Sequence, residues 1–493
     1  RVAPRGVSPA VVHSFDAHAA RADVVDTVAA ALDRAGVACA RLPGPRGTTR
    51  EIAVAATDRA AARAAIGGGL TGDGWAITPG RAEAARIRVT RALAAPGGEL
   101  LTGPENGCDV TFWTRVDGTS TPRADGDPHL PGTLIAPSPN GVTAYLSARA
   151  WASATGSPTR WLPDAVPDVF DVDGPVDVVY TWVDGTDPAW VERKAAAQRA
   201  EGDTADARHA SATDDARYLS RDELRYSMRS VAMYAGWVRR IYLVTDGQVP
   251  AWLDPSHPKI EVVDHRDIFT DPSALPTFNS HAIESQLHHI DGLSERYLYL
   301  NDDMFFGAPI GPELFFHSNG LATFFVARDT VDLDPASARD LPVISAAKNL
   351  RSLLERDFGV TARGKFRHAA HPQLRSAVAE LEARYPEMFA AVAHSRFRHP
   401  DDLSIPSALV HYWFYLQGRA VPGELRYRYQ DLARPDTARR LDEIARQRPQ
   451  AFCLNDVSGS SRGSTAAVVQ FLRAYYPLAA PWETAPRETG APG

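Results

Sequence analysis

Asn301, Asp302 and Asp303 follow directly on Tyr297-Leu298-Tyr299-Leu300, so one amide and two adjacent carboxylates stand at the end of an apolar, strand-forming run. Ligands of open α/β sheets bind just beyond the carboxyl ends of the strands. Two carboxylates placed there repel each other unless positive charge stands between them. A divalent cation carrying a phosphorylated substrate supplies that charge, because Mg2+ usually takes one or two carboxylates together with phosphate oxygens. For an Asp pair alone, a polar turn closing the strand is an equal reading.

Four other groups could do chemistry. Trp182, Asp184 and Asp187 lie in a turn, Thr181 to Pro188, after another apolar run. An aromatic followed by a carboxylate suits a nucleotide base and ribose, although Asx turns ask for the same residue types. Arg221, Arg225 and Arg229 recur every four residues and share a helical face. Such a stripe either clamps a diphosphate or lies in solvent paired with Asp222 and Glu223. Asn279, Ser280, His281 and Glu284 gather at a helix start, where free N–H groups favour anions and where capping uses the same side chains. In Arg396-Phe397-Arg398-His399-Pro400-Asp401-Asp402 a histidine stands beside carboxylates. That arrangement suits a general base taking a proton from a hydroxyl, or a plain loop histidine.

The elements that position these groups begin near residue 176. Val176 to Val183 reads as a strand broken by Asp184-Gly185. Ser220 opens a helix as a capping box with Glu223, ending near Gly236. Strands follow at Arg240 to Thr245, Ile260 to Val263 and Arg296 to Leu300, with a helix from Ser280 to about Ile290 before the last. Alternating strands and helices imply right-handed crossovers and a mostly parallel, Rossmann-like sheet. Three of the strands end in Asp followed by Gly or Asp, so the polar residues collect along one edge. Residues 349 to 417 read as a helical subdomain, and Ala466 to Tyr475 as a last helix before a tail, disordered from about 486. Cys453-Leu454-Asn455-Asp456 repeats the pattern of an apolar strand ending in Asn-Asp.

Residues 1 to 170 read as an accessory α+β domain. Val24 to Ala35 is helical and closes at Gly36. Glu51 to Ala56 and Val110 to Trp113 are strands, and Arg59 to Ile66 is a helix. Turns fill 118 to 139, and a proline-rich linker spans 157 to 175.

A chain of 493 residues asks for two or three domains. Its 44% hydrophobic and 23% charged residues suit a globular protein. The net charge of −7 argues against general nucleic-acid binding. No run of 18 apolar residues predicts a membrane span, and the N-terminus carries neither a secretory signal nor an initiator Met, as in a trimmed chain. Cys39, Cys108 and Cys453 are odd in number and far apart, which points to a reducing cytosol and no structural metal. The Ala- and Arg-rich composition is that of a bacterial protein.

Together these blocks resemble the Stealth proteins. Asp177 to Gly185 is similar to the family's first signature block. Asp222 to Ser227, Thr245 to Gln248, Ala282 to Ser285 and Asn301 to Asp303 are similar to the second. His368 to His371 with Arg398-His399 and Asp401-Asp402 is similar to the third, and Cys453 to Asp456 to the fourth. The resemblance covers roughly residues 174 to 480 in the family's order. The family includes bacterial capsular polysaccharide phosphotransferases and the catalytic subunit of the animal N-acetylglucosamine-1-phosphotransferase.

The resemblance implies a GT-A-like sheet and transfer of a sugar 1-phosphate. A UDP-hexose, UDP-N-acetylglucosamine foremost, would give its sugar phosphate to a hydroxyl of a cell-surface glycan, with UMP leaving and a phosphodiester formed. It implies Mg2+ or Mn2+ on Asp302, Asp303 and Asp456, and His399 as general base beside Arg398. Tyr180, Trp182, Asp184, Arg225, Asn279, His281, Glu284, Asn301 and Asn455 would then hold the donor. Few basic residues lie between Gly307 and Phe325, so the phosphate clamp must come from elsewhere. The expected place of action is the bacterial cytosol, at the inner face of the membrane near the glycan machinery. The competing expectations are a conventional metal-dependent glycosyltransferase on the same sheet, and a non-catalytic glycan- or nucleotide-binding protein.

Overall fold

The computed structural model describes residues 3–4, 6–42, 50–79, 85–118, 130–157, 168–201, 221–337, 339–456 and 462–484. Two compact units divide it, Arg1–Asp171 and Val172–Gly493. The Ser220 capping box, parts of the 118–139 turns and of the 157–175 linker, and the tail from 486 lie outside the described residues.

In the first unit, Asp16 caps the helix Ala17–Arg34 by accepting from His18 N and Ala19 N. Gly36 beyond it takes φ 68°, a left-handed turn that a residue with a Cβ adopts at a cost. Arg50–Ala55 pairs in parallel with Cys108–Arg115, and Cys39–Leu42 and Arg86–Arg91 join antiparallel on either side. Val25, Val28 and Leu32 of the helix pack on Ile52, Val54, Val110 and Phe112.

The second unit is built on β1 (Val176–Thr181), β2 (Ile241–Thr245), β3 (Ile260–Asp264) and β4 (Arg296–Asn301). All four run parallel in the order β3-β2-β1-β4. β1, β2 and β4 carry the apolar runs Val178–Tyr180, Ile241–Val244 and Tyr297–Leu300, every residue of β2 being buried, whereas Glu261 interrupts the half-buried edge strand β3. Helix α1 (Glu223–Tyr234) links β1 to β2. The fold is therefore α/β with a mostly parallel sheet, as expected.

The strand β6 (His371–Leu374) closes the edge of β4 antiparallel, with Tyr299 opposite His371. The 349–417 stretch is thus not purely helical: β6 and Gly364–Phe366 interrupt it before the helix α3 (Arg375–Arg384). The helix expected from Ser280 is also shorter. Its cap is Asn279, whose side chain accepts from His281 N; the helix α2 (Ser280–Glu284) stops after five residues and a 3-10 turn, Leu287–His289, follows.

After β4 the chain crosses Asp302-Asp303 and enters a second sheet. There β5 (Met304–Phe306) pairs antiparallel with β8 (Ala451–Asn455), which pairs in parallel with β7 (Tyr427–Asp431). The junction is fixed by packing: Phe305 stacks on Phe452 at 5.1 Å and on Tyr476 at 6.1 Å, all three fully buried. Each such ring contributes about 2–3 kcal/mol by burial alone. The register Met304 opposite Cys453 is what brings Asn455 alongside Asp303. Among the described residues, no helix is long and apolar enough to cross a membrane.

Candidate active site

A cavity of about 1200 Å3 opens over the carboxyl ends of β1 and β4 and the end of β8. Its floor is the two-sheet junction. Asp303 Oδ2 accepts from Asn455 Nδ2 at 3.1 Å and from the Cys453 thiol at 3.3 Å, while Oδ1 lies 3.2 Å from His368 Nε2. Leu454 N donates to the Asp303 carbonyl at 3.0 Å, so the backbone of β8 holds the loop that carries the pair.

The two aspartates are driven apart. Burial, the Asp303 charge and the nearby Glu223 push the Asp302 carboxyl up to about 8. Burial would raise Asp303 too, but the His368 imidazole and the hydrogen bonds from Cys453 and Asn455 hold it below the usual carboxylate value. His368 is raised in turn: burial works against its charge and Asp303 outweighs it. Burial and the Asp303 charge keep the Cys453 thiol protonated, far above its usual value.

Beside the floor, Asp222 takes φ 65° at the N-cap of α1, a left-handed conformation that aspartate tolerates better than most residues. The next residue, Glu223, is buried, and its carboxyl is raised by that burial against the pull of Arg221. Arg221 bridges Glu223, Nη1 to Oε1 at 3.1 Å, and Asp456, through Nη2.

On the other wall His281, at the first turn of α2, faces the cavity with Nδ1 3.5 Å from Asp402 Oδ2. Asp402 is 3% exposed and also accepts from Asn279 Nδ2 at 2.8 Å and His399 N at 2.9 Å. Arg398 lines the same wall and donates from Nη2 to Ser280 Oγ at 2.8 Å. Glu284 and Asn301 both approach the Tyr299 hydroxyl, at 3.0 and 2.6 Å.

The cavity thus brings together Trp182, His281, Glu284, Asn301, Asp302, Asp303, Arg398, Asn455 and Asp456 of the expected residues. Five others stand elsewhere. Tyr180 is fully buried under the floor with its hydroxyl on Ser227 Oγ at 2.7 Å. Asp184 closes an Asx turn, accepting from Thr186 N at 2.8 Å and Oγ1 at 2.6 Å, and its own N–H is held by Gln248. Asn279 is the buried cap that grips Asp402.

Arg225 is taken by Glu483, Nε to Oε2 at 2.6 Å, together with Arg229. The guanidinium stripe therefore clamps the C-terminal segment, and only Arg221 of the three lines the cavity. His399 is 37% exposed with its ring 3.4 Å from the exposed Asp401. It lies outside the cavity lining and serves the site through its backbone N–H. Asp456 faces the cavity, but its carboxylate is engaged by Arg221 rather than presented to a cation.

Sequence reasoning missed Glu223 as a site acid, the pairing of His281 with Asp402, and the outer wall. That wall carries Arg328, Lys365, Arg426 and Arg428 with Tyr427 and Tyr429. Alternation of charge along 426–429 was the signal available for it.

The conserved-region models of the Stealth proteins match this chain four times: region 1 at residues 174–202, region 2 at 217–324, region 3 at 367–415 and region 4 at 442–491. An exopolysaccharide phosphotransferase of Streptomyces coelicolor is 46% identical over 422 residues, 81% of this chain and 68% of that one. A second from the same organism is 43% identical over 410 residues, 81% of this chain but 42% of its own length. The exopolysaccharide phosphotransferase CpsY of Mycobacterium tuberculosis is 38% identical over 409 residues, 80% of this chain and 73% of that one. Among solved structures, the galactosyltransferase LgtC with donor and acceptor sugar analogs covers 63% of this chain and 98% of its own at 12% identity and a TM-score of 0.33, too slight a likeness to bear on function.

Proposed function

The chain belongs to the Stealth protein family, and from that premise we propose that it moves a sugar 1-phosphate from a UDP-sugar to a hydroxyl of an exopolysaccharide, releasing UMP. It is a transferase, and its relatives in Streptomyces coelicolor and Mycobacterium tuberculosis are named exopolysaccharide phosphotransferases. The observation that carries the finer reading is the junction itself, where Asp302, Asp303 and Glu223 line one cavity with Asn455, and burial, the Asp303 charge and Glu223 together push the Asp302 carboxyl up to about 8.

That donor set fits a hard divalent cation. Asp302 and Asp303 offer carboxylate oxygens and Asn455 an amide oxygen, while the protonated Cys453 thiol is no ligand for Mg2+. When bound, Mg2+ or Mn2+ would neutralise charge on the pyrophosphate oxygens. Arg221 and Arg398, on opposite walls, would take the remaining phosphate charge bidentately.

Phosphoryl transfer asks the protein mainly for positioning and charge neutralisation. A bond forms between the acceptor oxygen and the phosphorus nearest the sugar, the bond from that phosphorus to the UMP oxygen breaks, and the hydroxyl proton must go to a base. We assign that base to His281. Asp402 on its Nδ1 side keeps a proton there and leaves Nε2 as the acceptor. Trp182 would stack on the nucleotide, and Tyr427 and Tyr429 would receive acceptor sugars.

The test is the nucleotide released by purified enzyme from a panel of UDP-sugars, UDP-N-acetylglucosamine first, with glycan acceptors. UMP, lost in EDTA and restored by Mg2+ or Mn2+, supports the reading. UDP with a plain glycosidic product would make the protein a glycosyltransferase.

A further inference from the structure

Away from the cavity, at the other end of β4, His288, His289 and Glu382 converge on one point. The two histidines are consecutive in the 3-10 turn Leu287–His289, and Glu382 comes from α3. His288 Nε2 and His289 Nε2 lie 2.6 and 2.8 Å from the same oxygen, Glu382 Oε2. Their ring centroids are 4.0 Å apart at 47°, and the three ligand atoms all lie within 4.8 Å of one another. We propose that this triad is a binding site for a zinc-class divalent cation, tying the turn before β4 to helix α3.

The tautomers call for a cation between the rings and the carboxylate. His289 Nδ1 lies 3.0 Å from the Ile268 carbonyl, which accepts only, so Nδ1 holds the proton. In the neutral ring the Nε2 lone pair then points at a carboxylate oxygen 2.8 Å away. Positive charge has to stand between them, as a second proton or as a metal ion. A backbone carbonyl orienting the far nitrogen is the arrangement that supports metal-bound histidines. Two imidazoles and one carboxylate form the three-ligand set of a zinc site with one position left open.

The approach is open as well. A cleft of about 590 Å3 borders the triad, lined by Thr270, Glu295, Arg375 and Ser376 among others, with room for a water as fourth ligand. The charged groups there are already engaged: Arg375 donates to the carbonyls of His288 and Leu293, and Glu295 accepts from Ser376. Tetrahedral zinc at about 2.0–2.1 Å from its ligands spaces them about 3.3 Å apart. The present contacts must open by about half an ångström for it. Glu382, 25% exposed, has the freedom to make that movement, whereas His288 is 2% exposed and fixed. Cysteine spacing argued against a structural metal; this set uses none.

The test is metal binding to chelator-treated, dialysed full-length protein. With excess Mg2+ present to fill the cavity carboxylates, Zn2+ titrated by calorimetry, and Co2+ followed by its d–d absorption, should show one equivalent bound in the wild type. That equivalent should persist in Asp303→Asn, which removes the cavity carboxylate, and vanish in Glu382→Gln and in His289→Ala. The cobalt spectrum should show tetrahedral bands without the thiolate charge-transfer band that Cys453 would give. A hundredfold excess of Zn2+ over Kd should raise Tm by about 2–5 °C in the wild type and in Asp303→Asn and not in Glu382→Gln. If the folded wild type binds no Zn2+ or Co2+, or the equivalent survives Glu382→Gln, the triad is a proton-bridged clamp and the proposal falls.

Discussion

Replacing Asp302 by Asn should abolish transfer and yet stabilise the cation-free protein, by an amount that grows with pH. Its carboxyl is pushed up to about 8 by burial, Asp303 and Glu223, against about 3.9 in an unfolded chain. Between those values the unfolded chain has released a proton that the folded one keeps. The unfolded state therefore binds fewer protons, and stability falls as pH rises from about 4 to about 8. At about 1.4 kcal/mol per pH unit, four units set a ceiling of about 5–6 kcal/mol. Asp302 keeps part of its surface open to the cavity, and water there screens the penalty, so about half, about 2–3 kcal/mol, is the expected size by pH 8.

Asparagine has the shape of the neutral carboxyl and no such cost. The assay is urea denaturation of both proteins in EDTA from pH 5 to 9. The stability difference should be small at pH 5, reach about 2–3 kcal/mol in favour of Asp302→Asn at pH 8, and narrow when Mg2+ is added. A gap that ignores pH, or a variant less stable than wild type at pH 8, refutes the picture of crowded carboxylates at the junction.

His281→Ala should lower kcat by about 10²–10⁴-fold with donor Kd by calorimetry nearly unchanged; Asp402→Asn should cost about 10–100-fold, and His399→Ala at most a few-fold. The reverse ranking would return the base to His399. Arg221→Met leaves Glu223 and Asp456 buried without their cation, so it should cost about 3 kcal/mol in denaturant unfolding and raise donor KM; an unchanged midpoint would remove that bridge from the account. Glu483→Gln should release Arg225 and Arg229 and destabilise by about 2–4 kcal/mol, while kcat measured well below the melting range stays within about twofold. Cys453, its thiol held protonated by burial and Asp303, should resist iodoacetamide in native enzyme at pH 8; labelling at the rate of a free thiol would show that the floor is open to solvent.

The parallel sheet was legible because strands covered on both faces must read as apolar runs, as Val178 to Tyr180 and Tyr297 to Leu300 do. Asp302 and Asp303 were legible because only Asn301 separates them from such a run. The arginine stripe was legible only as a stripe. Spacing by four places Arg221, Arg225 and Arg229 on one side of α1 but cannot say that Glu483, more than 250 residues away, occupies that side. His399 shows the same limit at closer range. Asp401 and Asp402 are neighbours in sequence, yet Asp401 is exposed beside His399 while Asp402 turns inward to His281, over 100 residues upstream. Asp184 was ambiguous from the start, since turn closure and ribose binding want the same carboxylate; here Thr186 takes it.

In the proposed reaction the phosphorus nearest the sugar leaves the donor together with the sugar. Phosphorus NMR of a complete reaction with UDP-N-acetylglucosamine or another accepted UDP-sugar follows that atom directly. Both pyrophosphate resonances should disappear, replaced by a phosphomonoester of UMP and a phosphodiester that migrates with the glycan. Retention of both phosphorus atoms on the nucleotide, as UDP, with none in the glycan, would contradict it.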